Sequence, residues 1–329
     1  MNRQAIIILF LTISVLTQSC KETPLEAKDS AATSIKKAPS TEQKTQALIL
    51  TQDFPYDTEN ADSISGPYIK KKKLSVPLNL KPQNKWFMFE GPVLENDVVA
   101  YRYYADSRHR FDIYGKQVSD LVMDTVGWKY HDIMDWGSDI LKVGNSLGIG
   151  SPAIRYKDSL YYLTIWDNKT IEIIENGNDR SMIRTTFTGL KIEDFSFDLI
   201  QDWSIEAGAS WSEISLKVPN GNLPDGMQFA TGFIKHLPEI SHGHYDDVFY
   251  AMNWGNQSFH NEELGMAIIA HYRYEPTHIS DTFSHAYVFN KAENEVTYRF
   301  MSAWERDKSN VTDTEAFQQL VHNASKTVR

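Results

Sequence analysis

Short runs of β-branched and aromatic residues, separated by turn residues, recur along the chain from residue 46 onward. Residues 98–104 have this composition, and residues 169–174 and 181–187 flank a Gly-containing segment, 175–180, that is typical of a hairpin loop. Further strands are predicted at residues 159–166, 194–206, 210–218, 229–236, 266–274, 284–290 and 295–304. Many short strands of this kind predict a mainly β fold, a large antiparallel β-sandwich.

One segment near the end of the chain has helical periodicity. Residues 312–315 have the sequence of a capping box, which satisfies free backbone N–H groups at the start of a helix. An apolar stripe follows, formed by Phe317, Leu320 and Val321. The pattern predicts a short C-terminal helix that continues to about Ser325 and packs on a sheet.

The first residues have the pattern of an export signal. Arg3 precedes an apolar stretch that runs to Leu16, which is shorter than a comfortable membrane span. Ser19 and Cys20 then resemble the cleavage box of a bacterial lipoprotein. We expect residues 1–19 to be a lipoprotein signal peptide and Cys20 to carry the lipid, with an ordinary signal peptide as the alternative. The expected location is the bacterial outer membrane, facing the periplasm or the cell surface.

The segment after the cleavage box differs in composition from the rest of the chain. Residues 20–45 are polar, rich in Ala, Ser, Thr and Lys, and free of aromatic residues. Such a segment buries too little apolar area to offset the entropy lost on ordering, so it is predicted to be a flexible tether. Residues 46–329 are predicted to form a single β-sandwich catalytic domain.

Composition narrows the possible functions by exclusion. Cys20 is the only cysteine among 329 residues, which excludes disulfide frameworks and cysteine-rich zinc sites. The net charge of −10 disfavours nucleic acid and bare anionic lipid as partners, because both repel a negative protein. An anionic substrate in a local basic pocket remains compatible with this charge. The sequence has no phosphate-binding Walker loop and no dinucleotide fingerprint, and no cofactor is expected.

The densest polar and aromatic stretch runs from Glu95 to Gly150. Within it the cationic side chains of Arg102, Arg108 and Lys142 recur beside tyrosines and carboxylates. Arginine binds a carboxylate or a sulfate through two hydrogen bonds, and aromatic faces stack on sugar rings. The stretch as a whole therefore indicates a site for an anionic sugar. Each residue by itself also fits a surface ion pair or the sandwich core.

Histidines are the candidate acid–base groups, because imidazole has the side-chain pKa nearest to neutrality. His131 lies close to two aspartates in the sequence, and His236 follows Lys235. His242 and His244 would share one face of a strand and form a candidate metal-binding pair. No third ligand follows at motif spacing, so no metal is assigned. The possible completing ligands are His260, His271 and His285.

Several blocks of sequence occur in a fixed order, at residues 91–97, 100–103, 112–116, 131–137, 139–144 and 231–236. Over most of residues 85–305 they resemble a family of exported Bacteroidota proteins, a domain of unknown function (DUF4861), often encoded among polysaccharide-degrading enzymes. The resemblance implies the large β-sandwich of sugar mutarotases. It also implies an oligosaccharide dehydratase, which removes water from a non-reducing-end uronic acid during breakdown of ulvan, a sulfated algal polysaccharide.

Such a reaction needs a cation for the substrate carboxylate, a base for the C5 proton and an acid for the departing 4-hydroxyl group. The residues assigned by their chemistry are Arg102 and Lys142 for the carboxylate, His131 (with His236 second) for the base, Tyr114 for the acid, Arg108 and Lys235 for neighbouring sulfate or carboxylate groups, and Trp136 and Tyr103 for stacking.

Three other functions stay open at this point. A polysaccharide lyase neutralises the same carboxylate but expels a sugar instead of water. A non-catalytic surface glycan-binding lipoprotein would use the arginines and aromatic residues without turnover, and a sugar epimerase or mutarotase is the remaining alternative. The expected partner is a uronate-containing oligosaccharide, sulfated or not.

Overall fold

Strands are the main regular structure of residues 43–328, the part of the chain that the computed structural model describes. The predicted signal peptide, Cys20 and nearly all of the predicted tether lie outside the described residues. The first strand begins at Thr45, the last residue assigned to the tether. No helix in the described part of the chain has the length and apolar character needed to cross a membrane.

The strands are β1 (Thr45–Leu48), β2 (Leu50–Gln52), β3 (Tyr68–Lys70), β4 (Lys73–Ser75), β5 (Val93–Asn96), β6 (Val99–Tyr103), β7 (Phe111–Lys116), β8 (Gly137–Asp139), β9 (Ala153–Tyr156), β10 (Ser159–Tyr162), β11 (Asn168–Asn176), β12 (Arg180–Ile192), β13 (Phe195–Glu206), β14 (Trp211–Lys217), β15 (Met227–Ile234), β16 (Ser241–Tyr245), β17 (Val248–Asn256), β18 (Glu263–His271), β19 (Pro276–Ile279), β20 (Ser284–Phe289) and β21 (Glu295–Trp304). The helical segments are α1 (Thr314–Ser325) and two 3-10 turns, Met88–Glu90 and Tyr272–Tyr274.

The strands form one large sheet and two medium ones, besides the short β2–β3 ribbon. The large sheet has the order β16-β17-β18-β21-β14-β13-β12-β11-β4, and the others have the orders β1-β5-β6-β7-β8 and β10-β9-β15-β20-β19. Neighbouring strands in these sheets pair antiparallel, including the hairpin of β11 and β12. The predicted mainly β, antiparallel fold is confirmed.

The main hydrophobic core lies between the nine-stranded sheet and the two five-stranded sheets. The ring of Tyr101 on β6 packs edge-on against Phe300 on β21, with 4.9 Å between ring centroids. Phe249 on β17 and Tyr287 on β20 make the equivalent contact with the other sheet at 5.1 Å. All three sheets therefore bury apolar side chains in the same core, and this burial stabilises the sandwich by roughly 25 cal/mol per Å² of apolar area.

Helix α1 covers the opposite face of the nine-stranded sheet, as the sequence predicts. Phe317 and Val321 are fully buried there, and the Phe317 ring lies 5.7 Å from that of Trp254. The capping residue differs from the prediction by one position. The side chain of Asp313 accepts a hydrogen bond from the backbone N–H of Ala316 at 2.8 Å, and the helix follows it directly.

The outer face of the β1–β8 sheet carries the polar residues of the candidate site. Successive side chains on a strand point to opposite faces, so Tyr101 and Tyr103 on β6 point into the sandwich and Arg102 points outward. Asp112 and Tyr114 on β7 share the outer face with Arg102. The chain between β7 and β8 folds back over this face through Met123 and Tyr130, together with Phe89. The polar cluster is consequently buried as well.

Candidate active site

A buried arginine lies at the centre of the outer polar cluster. The Nε and Nη2 atoms of Arg102 donate to Oδ2 of Asp112 at 3.1 and 2.8 Å, and Nη2 also donates to Oδ2 of Asp139 at 3.0 Å. Its Nη1 atom donates to the carbonyl of Phe89 at 2.8 Å. Only 1 % of the Arg102 side chain is exposed. The assignment of Arg102 to a substrate carboxylate is wrong for this structure, because its donors already hold protein groups.

Asp139 is the member of this cluster that is poised to exchange a proton. Burial raises the pKa of the Asp139 carboxyl well above its usual range, and the nearby carboxylate of Asp112 raises it further, against the opposing charge of Arg102. A carboxyl group in this environment takes up a proton easily. Sequence reasoning included Asp139 in a motif but gave it no role.

His131 connects this buried network with solvent. Its Nδ1 atom lies 3.4 Å from Oδ2 of Asp139, and 57 % of its side chain is exposed. The ring packs on Tyr130 with 4.5 Å between centroids. Desolvation lowers the pKa of His131, and the charge of Arg102 lowers it further. The imidazole is therefore mainly neutral near pH 7, with Nδ1 turned to Asp139 and Nε2 left to meet a substrate.

A polar groove lies beside His131. It has a volume of about 370 Å³ and is lined by Lys142, His236, Asn256, Gln257, Ser258, Phe259 and Asn261; we call it the Phe259 groove. Lys142 and His236 are both exposed. Because the Lys142 carbonyl can only accept, Nε2 of His236 donates to it at 3.1 Å, which leaves Nδ1 free.

Phe259 joins the groove to the buried cluster. Its ring, 48 % exposed, lies 6.1 Å from the ring of His131, and its backbone N–H donates to the Ile140 carbonyl at 2.8 Å. The next residue, His260, is hydrogen-bonded through Nε2 to the hydroxyl of Ser138 at 2.9 Å. These contacts hold the loop between β17 and β18 against β8. Phe259 thereby connects three of the assigned catalytic residues, because its ring lies next to His131 and it lines the groove with Lys142 and His236.

Comparison with known proteins shows which family the chain belongs to. The family model described as "Domain of unknown function (DUF4861)" matches residues 18–329. The chain belongs to the DUF4861 family. No curated protein matches it. Among solved structures it is similar to a candidate aldose 1-epimerase from Klebsiella pneumoniae subsp. pneumoniae MGH 78578, with a TM-score of 0.36 and 9 % identity, over 84 % of this chain and 95 % of that one. At this TM-score the likeness says nothing about what the chain binds.

Two assigned tyrosines of this DUF4861 domain are buried. Tyr103 points into the sandwich, where its hydroxyl is hydrogen-bonded to that of Thr185 at 2.6 Å. Tyr114 is enclosed by Tyr130, Trp136 and Phe89, and its hydroxyl has no partner among the described residues. A ring without exposed surface neither stacks on a sugar nor protonates one. The assignments of Tyr103 to stacking and Tyr114 to the acid are therefore wrong for this structure.

Arg108 is also committed to the protein. Its Nη2 atom forms ion pairs with Glu90 and with Asp106, the latter at 2.6 Å, and its guanidinium lies 3.7 Å from the centroid of the Tyr104 ring. Two carboxylates already balance its charge, so Arg108 is not a free sulfate-binding cation in this structure. Trp136 is half-buried and packs beside Tyr114 at 6.2 Å.

Lys235 lies outside the Phe259 groove, although it directly precedes His236. Its side chain is exposed, and its charge lowers the pKa of His278 and of His285, which are on the other five-stranded sheet. The structure therefore does not place Lys235 with His131 in one site.

The two histidines weighed as a metal pair have separate partners. Nδ1 of His242 is 3.4 Å from the Tyr287 hydroxyl, whereas Nδ1 of His244 is 3.1 Å from the Asp246 carbonyl. Each possible completing ligand is bonded elsewhere: His260 to Ser138, His271 to the Arg273 backbone, and His285 to the Leu237 carbonyl. Within residues 43–328, no three His, Cys, Asp or Glu side chains converge as a metal site would require.

Residues 144–148, Gly-Asn-Ser-Leu-Gly, have the spacing of a nucleophile elbow. The structure does not support that role. Ser146 is fully buried, and its hydroxyl donates to the Val143 carbonyl at 2.6 Å. The segment connects strands instead of a strand and a helix, so Ser146 stabilises a turn.

Proposed function

We propose that the chain is a carbohydrate-active dehydratase that removes water from a non-reducing-end uronic acid of an anionic oligosaccharide, giving a 4,5-unsaturated uronate. One observation carries the proposal: Phe259 lies 6.1 Å from the His131 ring and lines one groove with Lys142 and His236, and His131 is backed by the buried carboxyl of Asp139. A base, a cation, a second imidazole and an apolar platform are the groups that this elimination uses.

Lys142 is the cation that remains free for the substrate. In the Phe259 groove its ammonium group would pair with the substrate carboxylate, which draws electron density from C5 and makes the C5 proton more acidic. Arg102 contributes indirectly, since its charge lowers the pKa of His131 and keeps that imidazole neutral.

His131 would act as the base. Its Nε2 atom takes the C5 proton, and the electron pair of the C5–H bond forms the C4–C5 double bond as the C4–O bond breaks. Asp139 lies 3.4 Å from Nδ1, and its raised pKa would let it take up the Nδ1 proton of the imidazolium that results.

His236 would act as the acid that replaces Tyr114. Desolvation lowers the pKa of His236 in the free protein, and the charge of Lys142 lowers it further, while its bond to the Lys142 carbonyl opposes both. A substrate carboxylate on Lys142 offsets that charge. The pKa of His236 then rises, so the protonated form becomes available to convert the leaving hydroxyl group into water.

The proposed setting follows from the export signal. Lipid on Cys20 would anchor the domain in the outer membrane, facing the periplasm or the cell surface, where it would meet ulvan-type oligosaccharides. A polysaccharide lyase would use the same three groups around Phe259, and a glycan-binding lipoprotein would use them without turnover.

The proposal is tested with saturated uronate-terminated oligosaccharides and the absorbance of the unsaturated product. We expect wild-type protein to generate the band and His131→Ala to lose at least about a hundredfold in kcat. His244→Ala is the matched control, because His244 is an exposed histidine that contacts Tyr272 and not the groove. No band with wild-type protein, or full turnover by His131→Ala, would overturn the proposal.

A further inference from the structure

A second polar cluster lies where the edge of the nine-stranded sheet meets the β10–β19 sheet. His242 is on β16, His278 is on β19, and His285 and Tyr287 are on β20. Tyr287 lies between two of the histidines: its hydroxyl is 3.4 Å from Nδ1 of His242, and its ring centroid is 5.2 Å from that of His278. The rings of His278 and His285 are 6.3 Å apart. With Lys235 these residues form what we call the histidine cluster.

The cluster contains cationic groups without a matching carboxylate. Desolvation lowers the pKa of His278, and the charges of His242 and Lys235 lower it further. Desolvation also lowers the pKa of His285, with Lys235 and His278 adding to the effect against a bond to the Leu237 carbonyl. No acidic side chain is among the groups that shift either pKa. A bound anion would relieve the repulsion among these groups when they are protonated.

The same groups are poorly suited to a metal ion. The ammonium group of Lys235 repels a cation, and Nε2 of His285 is hydrogen-bonded to the Leu237 carbonyl at 2.8 Å. Lys235, His242 and His278 are exposed, whereas His285 and Tyr287 are buried behind them. Lys235, His242 and His278 each carry nitrogen donors of the kind that bind the oxygens of an anion.

We infer that the histidine cluster is an oxyanion-binding site, taking a sulfate ester or a carboxylate of an anionic glycan. It lies apart from the proposed catalytic groups but begins one residue before His236 of the Phe259 groove. Binding strengthens as pH falls through the lowered pKa values of His278 and His285, because these two imidazoles then gain charge beside Lys235. The inference goes beyond the proposed function and does not require turnover.

Inorganic sulfate is the first probe, titrated into the full chain while the histidine side-chain NMR signals are followed at two pH values, one below and one above the ordinary imidazole pKa. We expect sulfate to shift the cluster signals, with tighter binding at the lower pH. His278→Gln should weaken binding about three- to tenfold. His244→Gln is the matched control, because its ring contacts Tyr272 on the neighbouring surface, and should bind as wild type.

A second arm identifies the source of the oxyanion. The affinities of sulfated and chemically desulfated forms of one uronate oligosaccharide are compared by calorimetry. A lower affinity after desulfation assigns the site to sulfate, whereas equal affinities assign it to carboxylate. Equal sulfate binding by His278→Gln and wild type would overturn the inference, as would zinc shifting the cluster signals where sulfate does not. His131→Ala should retain sulfate binding, so failure of the proposed reaction and failure of this site are distinguishable.

Discussion

The Nδ1 atom of His131 lies 3.4 Å from the Oδ2 atom of Asp139, and that same oxygen accepts a hydrogen bond from Nη2 of Arg102 at 3.0 Å. His131 is exposed, whereas Asp139 and Arg102 are buried. One carboxyl oxygen of Asp139 therefore connects an exposed imidazole to a buried network of charges. Asp139 and Arg102 thus influence both the orientation and the protonation of the proposed base, His131.

Asp139→Asn tests this coupling. The amide retains the shape of the carboxyl group and still accepts from Arg102, but it cannot take up a proton from His131. We expect kcat to fall at least about tenfold with little change in KM. Asp132→Asn is the matched control, because Asp132 is an exposed aspartate next to His131. Similar losses in both variants would show that the Asp139 carboxyl has no special role.

The pH dependence of turnover should show the protonation state of His131. Desolvation and Arg102 lower its pKa below the ordinary value of about 6.5. A base must be neutral to accept a proton, so kcat/KM should fall with decreasing pH through that lowered pKa. A pH–rate profile measures this directly. An acid limb above about 6.5 would contradict the assignment of His131.

Lys142→Met and Lys142→Arg separate charge from shape at the proposed carboxylate site. Methionine removes the cation, so kcat/KM for a uronate substrate should drop at least about tenfold. Arginine keeps the positive charge, so that variant should retain part of the wild-type kcat/KM. Steady-state kinetics on both variants, with Lys291→Met as an exposed control, provide the measurement. Equal activity of the Met and Arg variants would show that charge at residue 142 is not used.

A buried lysine predicts how stability changes with pH. Burial lowers the pKa of Lys169 to about 7, and its Nζ atom donates to the Ala105 carbonyl at 2.9 Å and to Nδ1 of His109 at 3.0 Å. The unfolded chain holds this proton up to about pH 10.5, so between those values the unfolded state binds more protons. The free energy of unfolding should therefore rise with pH above 7, with a contribution from Lys169 on the order of 4 kcal/mol.

Lys169→Met removes that contribution. Denaturant unfolding at pH values between about 7 and 10 should give a flatter stability profile for the variant than for wild type. Parallel profiles would show that Lys169 keeps its ordinary pKa in the fold. The comparison is a difference between two proteins, so the titration of tyrosines at alkaline pH cancels.

The sequence predicts best the strands at the centre of the nine-stranded sheet. The predicted strands at 194–206, 210–218 and 295–304 match β13, β14 and β21 to within one residue at each end. Most strands that close a sheet edge, such as β16 and β19, are absent from the prediction, although β10 falls within the predicted strand at 159–166. Residues 241–245 of β16 include no aliphatic residue and are mostly exposed, so their pairing with β17 comes from backbone hydrogen bonds that apolar patterning does not reveal.

The site was predicted less well than the fold, for two physical reasons. Alternation along β6 separates Tyr103 from Arg102, since neighbouring residues on a strand face opposite sides of the sheet. Burial of Arg102 depends on a cover made by Phe89 and Tyr130, which lie far from it in sequence. Phe259 lies in a loop more than a hundred residues after His131 in the sequence. The feature that could have pointed to its role is the presence of a phenylalanine in a polar turn.

The mass of the product tests the central claim most directly. Purified protein is incubated with a defined saturated uronate-terminated oligosaccharide, and the product is analysed by mass spectrometry. The proposed reaction predicts a product of the same chain length that is lighter by one water, formed by wild type and not by His131→Ala. Shortened chains would identify a lyase, and an unchanged substrate that stays bound would identify a glycan-binding protein; either result would contradict the proposed dehydration.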